Sequence, residues 1–166
     1  MNYQYIGKST PVNNSRAKAS GLLRYAGDMK LPNMLHMKLV LSPVAHGIVK
    51  AIDSSAALAM PGVAAVLSFE NTVDTKYNRG RVRISEDVMD QETLFSRHVR
   101  FVGDRVAAVL ADSPEIAAAA AEAIQLEIEE LAAVFTVKAA KREGAPQLHE
   151  DGNTVTPVSY THLRAH

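Results

Sequence analysis

The chain has 166 residues with 18 basic and 18 acidic side chains, no Cys and no Trp. Hydrophobic residues make up 47% and charged residues 22%, proportions that let a chain of this length bury a core and that exclude wholesale disorder. Balanced charge argues against a nucleic-acid surface built on many phosphate contacts, and the lack of Cys excludes a disulfide framework, a thiolate-ligated iron–sulfur cluster and a thiolate nucleophile.

The start, Met1-Asn2-Tyr3-Gln4-Tyr5-Ile6, has no basic stretch followed by an apolar one. No run approaches the roughly 18 apolar residues of a membrane span. The expectation is a soluble, cytoplasmic chain with neither membrane nor nucleic acid as a partner. Residues 1–20 are polar, rich in Asn, Ser and Lys, and include Pro11. They read as an extended arm rather than a helix or core strand, either lying over its own protein or a partner subunit or left as a loose terminus.

Residues 34–41 carry apolar side chains at Leu35, Met37, Leu39 and Leu41, with His36 and Lys38 between. A period of two predicts a half-buried strand, and Pro43 interrupts it because proline cannot donate to a ladder. A second strand runs from His46 to Ile52, and Asp53-Ser54 favours a helix start. Ala56 to Met60 makes one or two helical turns, Pro61-Gly62 stops them, and Val63 to Leu67 forms a third strand. Residues 70–96 are mostly polar and read as a long surface excursion with room for a short strand. Arg79, Arg81 and Arg83 within it suit a solvated strand face better than an anion site.

Around Gly103-Asp104, two apolar strands suggest a hairpin closed by a type II′ turn. Its second arm, Arg105 to Ala111, is nearly all apolar and should be a central strand covered on both faces. Ser113 then offers an N-cap, Pro114 suits the first helical position, and Glu115 favours the positive end of the dipole. The helix runs through the Ala117–Ala121 stretch to Ile124 or Gln125, thin enough to lie close to a sheet. Leu126-Glu127-Ile128-Glu129 alternates again as an antiparallel or edge strand with its acids in water. The order gives an α+β domain with helices on one side of a mixed β-sheet: a short crossover helix and one longer Ala-rich helix.

The last ten residues, Pro157 to His166, read back codon for codon as a string that resembles a transposase mosaic end joined to a sequencing adapter. They are set aside like an expression tag. Without them the balance is 17 basic against 18 acidic residues, because Arg164 leaves the count. The natural reading frame is then expected to continue past Thr156, making the chain a fragment. The expected domains are an arm at 1–20, a folded domain at 21–150, the start of a linker at 151–156 and a non-native tail at 157–166.

Chemistry is sparse. His36, His46 and His98 are isolated in sequence, with no partner at the helical spacing of a zinc site. Glu127, Glu129 and Glu130 cluster on an alternating strand, where solvation suits them better than acid–base work. No phosphate-cradling glycine loop and no nucleophile motif occurs. No residue is nominated as catalytic, cofactor-binding or metal-ligating.

Several stretches together resemble one family. Lys18-Ala19-Ser20-Gly21 with Arg24-Tyr25 and Asp28 is similar to K-V-T-G-x-A-R-Y-x-x-D, and Leu31-Pro32-Asn33-Met34-Leu35-His36 to P-G-M-L-H. Ser42-Pro43-Val44-Ala45-His46 resembles S-P-H-A-H, and Ile52 to Val63 is close to I-D-T-S-A-A-L-A-L-P-G-V. Val99 to Val109 resembles V-R-Y-V-G-E-P-V-A-A-V, while Ala121 to Ile124 and Glu129 to Val134 resemble A-E-A-I and E-E-L-P-A-V. The pattern is that of the N-terminal α/β-hammerhead domain of the molybdenum-binding subunit in xanthine dehydrogenase, aldehyde oxidase and CO dehydrogenase relatives, from about residue 10 to 150. Ala132 and Arg105 stand where Pro is common, Leu41 where Arg is common, and Asn14 where Asp is often found.

The resemblance implies a molybdopterin-dependent hydroxylase that oxidises a purine or aldehyde carbon with water-derived oxygen, with xanthine or a related purine as first guess. Molybdenum and its pterin would be bound by C-terminal domains of the same chain, and iron–sulfur clusters and FAD would sit in partner subunits. The fragment itself would bind no cofactor and turn over no substrate. The alternative is a freestanding α+β interaction or structural domain that uses the hammerhead fold without catalysis.

Overall fold

In the computed structural model, which describes residues 3–10, 12–77, 92–150 and 152–154, six strands form two three-stranded sheets. The strands are β1 (His36–Leu41), β2 (Gly47–Asp53), β3 (Val63–Ser68), β4 (His98–Val99), β5 (Arg105–Ala111) and β6 (Gln125–Glu130). One sheet has the order β1-β5-β3 and the other β4-β2-β6, and every pair is antiparallel. The helices are α1 (Ser15–Ala19), α2 (Ser55–Leu58), α3 (Pro114–Ala123) and α4 (Val137–Ala140). The α+β class, the short crossover helix and the longer Ala-rich helix are as expected.

The single mixed sheet is not. Residues 54–62 join β2 to β3, fewer than the dozen or so that a parallel crossover needs. The chain therefore turns from one sheet into the other through α2. Asp53 Oδ1 accepts the Ser55 amide at 2.9 Å, supplying the cap that Ser54, without a side-chain bond, does not.

The expected hairpin at Gly103-Asp104 is also absent. β4 pairs with β2, whereas β5 pairs with β1 and β3, so residues 100–104 form a corner between sheets. Asp104 N–H donates to Phe101 O at 3.1 Å, and Gly103, at φ +90°, occupies the third turn position. That is where a type II turn requires a positive φ, in place of the type II′ expected. Buried Asp104 fixes the corner: its carboxylate accepts Ser96 Oγ at 3.0 Å, Arg100 N at 3.2 Å and Arg105 N at 2.9 Å.

β5 is central, as its composition predicts, with Val106 to Val109 buried. α3 lies over one face of its sheet. Ser113 Oγ accepts the Ile116 amide at 3.2 Å, and Ala117 and Ala120 are buried because a side chain of one carbon lets helix and sheet approach closely. Val40, Val66, Ala107 and Val109 meet Ala57, Ala120 and Ile124 in this layer. A second cluster joins Val49, Val99 and Val106, and Ile52 and Leu126 pack against both. β6 is an edge strand, and Lys50 pairs with Glu129 in water. The excursion is partly buried at its end, at Phe95 and Ser96. Residues 78–91, including the three Arg, and the tail at 157–166 lie outside the described residues.

Met1–Met34 and Leu35–His166 form two separate units. The first contains α1, which departs from the wholly extended arm expected at 1–20. Leu22 N–H and Leu23 N–H both donate to Ala17 O, and Gly21 takes φ +70°, a left-handed residue that ends the helix at small cost. Asp28 of the family-like segment accepts the Tyr25 amide at 2.9 Å and closes a 3₁₀ turn over Ala26–Asp28. No helix among the described residues is long and apolar enough to cross a membrane.

Candidate interaction face and a histidine pair

The alternating apolar set on β1 does not face the core. Pairing with β5 and coverage by α3 bury Val40, while Met37 remains 61% exposed, Leu39 37% and Leu41 48%. Period two fixes that these side chains share a face; the position of α3 decides that the face is the open one. Leu35, just before the strand, is also exposed, as are Phe101 and Val102 at the corner. In the N-terminal unit Tyr3, Tyr5, Ile6, Leu22, Met29 and Leu31 are all more than half exposed. Scattered apolar side chains need no explanation, but a row of them along one strand makes a candidate contact surface.

The histidines expected to be isolated include two that meet. His46, 4% exposed just before β2, and His98 of β4 bring their Nε2 atoms to 2.8 Å, with ring centroids 5.0 Å apart. They are 52 residues apart, so no local spacing rule reveals the pair; only the pairing of β2 with β4 makes it. His46 Nδ1 lies 2.6 Å from Ala132 O. A carbonyl only accepts, so Nδ1 carries the proton and His98 donates through its Nε2. Burial holds the His98 imidazole below its usual pKa, helped by the positive charge of Arg100 and by His46 and His149, with Asp104 opposing. Arg100 donates from Nε to Leu148 O and from Nη1 to His98 O.

Beside this pair is a cleft of about 450 Å³ lined by Phe69, Asp74, Lys76, Arg97, Arg100 and Glu150, among others. Its cations are engaged: Arg97 stacks over Phe69, and Lys76 faces Glu150 at 3.6 Å. His36 is half-buried in β1, apart from the pair, and Glu127, Glu129 and Glu130 lie along the β6 edge as expected. Among the described residues no group of three or more His, Cys, Asp or Glu is placed to hold a metal ion.

The model of the family described as "Aldehyde oxidase and xanthine dehydrogenase, a/b hammerhead domain" matches residues 20–132. The chain belongs to that family. This hammerhead domain is 34% identical over 151 residues to the nicotinate dehydrogenase large molybdopterin subunit of Eubacterium barkeri, covering 91% of the chain and 34% of that protein. It is 42% identical over 127 residues to the carbon monoxide dehydrogenase large chain of Hydrogenophaga pseudoflava, covering 76% and 15%. Among solved structures, aldehyde oxidoreductase from Desulfovibrio desulfuricans ATCC 27774 aligns with a TM-score of 0.78 at 29% identity, over 88% of this chain and 17% of that one. Quinoline 2-oxidoreductase from Pseudomonas putida 86 aligns at 0.75 and 34%, over 90% and 20%. The hammerhead domain thus spans about a third or less of the length of the relatives it matches.

Proposed function

We propose that the chain is the hammerhead domain of the large subunit of a molybdopterin-dependent, xanthine dehydrogenase-like hydroxylase, and that it acts by packing against the domains that bind the cofactor. The reaction would be oxidative hydroxylation of a purine or aldehyde carbon with oxygen from water. Family membership over residues 20–132 carries the assignment. The open apolar face of β1 supports the packing role, because Met37, Leu39 and Leu41 are placed to be covered by another surface. Molybdopterin belongs to the remaining domains in this reading, with FAD and iron–sulfur clusters in partner subunits and the assembly in the cytoplasm.

Sequencing the source locus past Thr156, followed by purification of the whole product, tests the proposal. An in-frame continuation whose product contains molybdenum and hydroxylates a purine or aldehyde is the expected result. A stop codon shortly after Thr156 would overturn it in favour of a freestanding interaction domain. A whole protein active on an aldehyde but not a purine would decide the substrate class. Recovery of an epitope-tagged product outside the cytoplasmic fraction would contradict the location.

A further inference from the structure

We propose that His46 and His98 form a latch that holds the segment after β6, from Leu131 to His149, on the β2–β4 corner and releases it on acidification. None of its side chains is fully buried, and Phe135 is 82% and Val137 73% exposed, though Val134 and Leu148 are half-buried. Asn153, just beyond it, knits it together, its Nδ2 donating to Ala140 O and Pro146 O while its Oδ1 accepts the Leu148 amide. Several polar attachments tie it, and Glu150 beyond it, to the body. Leu131 N–H donates to His46 O at 2.9 Å, His46 Nδ1–H to Ala132 O, Arg100 Nε–H to Leu148 O, and Lys76 faces Glu150. Two of these four run through His46, and a third through Arg100, whose guanidinium also binds the His98 carbonyl.

Proton accounting makes the pair sensitive to pH. With His46 Nδ1 committed to Ala132 O, the neutral pair is joined by a single Nε2–H···Nε2 bond. One added proton, on His98 Nδ1, leaves that bond in place. A second, on His46 Nε2, sets two N–H groups head to head at 2.8 Å and two cations in adjoining rings, and the pair must part. Arg100 and His149 face the pair and oppose each added proton, while Asp104 alone opposes them. When the rings separate, His46 swings from its place and Ala132 O loses its donor, so a segment with no fully buried side chain is freed. Local opening of this kind is drawn from the least stable parts of a fold.

Hydrogen exchange on the full chain, corrected for intrinsic rates, tests the latch at about pH 7.5 and about pH 5, on either side of the ordinary imidazole value. Residues 132–149 are expected to lose about tenfold protection on acidification, the worth of one to two hydrogen bonds, while β5 stays protected. His98→Gln keeps an amide donor facing His46 but cannot titrate, and its segment should stay protected at both pH values. Equal protection of the wild-type segment at both pH values would overturn the latch, as would equal acid loss in His98→Gln. If His98→Gln fails to fold, imidazole NMR of the wild type decides: a His98 titration below the ordinary value that is also felt at the His46 ring supports the latch, and an ordinary one that the His46 ring does not feel refutes it. The result does not depend on the hydroxylase assignment, since it is read without cofactor or substrate.

Discussion

Ser113 shows how much one side chain with a local role can reveal. Its hydroxyl takes an amide that the first turn of α3 would otherwise leave without a partner, so Ser113→Ala should cost about 1 kcal/mol in a urea melt. Ser113 and the Pro114 that follows were legible because a cap is chemistry within four residues. Asp104 was not legible as a structural acid: its three donors, Ser96, Arg100 and Arg105, converge only once the corner is built. Asp104→Ala would leave those donors buried without an acceptor, and a loss of about 2–4 kcal/mol is expected by the same measurement. Gly47 is held for space rather than dihedral freedom. A Cβ there would lie 2.8 Å from both Glu129 O and Ile128 Cγ2, and since backbone yields little, Gly47→Ala should cost about 1–3 kcal/mol.

At the scale of elements, β1 separates what a pattern says from what packing says. Its alternation correctly marks a strand, yet the apolar set is the exposed one, because α3 covers the opposite face. Met37→Lys and Leu39→Lys should therefore change the stability of this chain by no more than about 0.5 kcal/mol, as surface substitutions do. Under the proposed function, the same pair placed in a longer subunit should abolish stable packing with its other domains, seen as loss of soluble, cofactor-loaded protein. β4 and β5 make the complementary case. The sequence points to β5, but the arm expected directly before Gly103 is no strand: β4 lies earlier, at His98–Val99, and finds its partner in β2. Local turn chemistry around Gly103 is compatible with several turns; the competing long-range pairing chose among them.

Across the whole molecule, the His98 shift links stability to pH. Its folded pKa lies below the ordinary value of 6.5, so the unfolded chain binds the proton more readily. Stability from this group is complete above about pH 6.5, the unfolded value, and is lost as pH falls through the folded one. Thermal melts of the chain should therefore decline with acid over that window, and His98→Gln should flatten the decline. Carboxylates such as Glu115, held low by hydrogen bonds from its own amide and the Ser113 hydroxyl, lose their contribution only at lower pH, so the two phases are separable.

By itself, the sequence determined the strands β1, β2, β3, β5 and β6, the helices α2 and α3, the central position of β5 and membership of the hammerhead family. All of these rest on periodicity, caps or ordered motifs that short stretches of chain carry alone. Tertiary structure decided the division into two antiparallel sheets, the open apolar face of β1, the acid at the corner and the meeting of His46 with His98. The reason is physical: backbone geometry dictates which side chains share a face, but what covers that face depends on contacts between residues tens of positions apart.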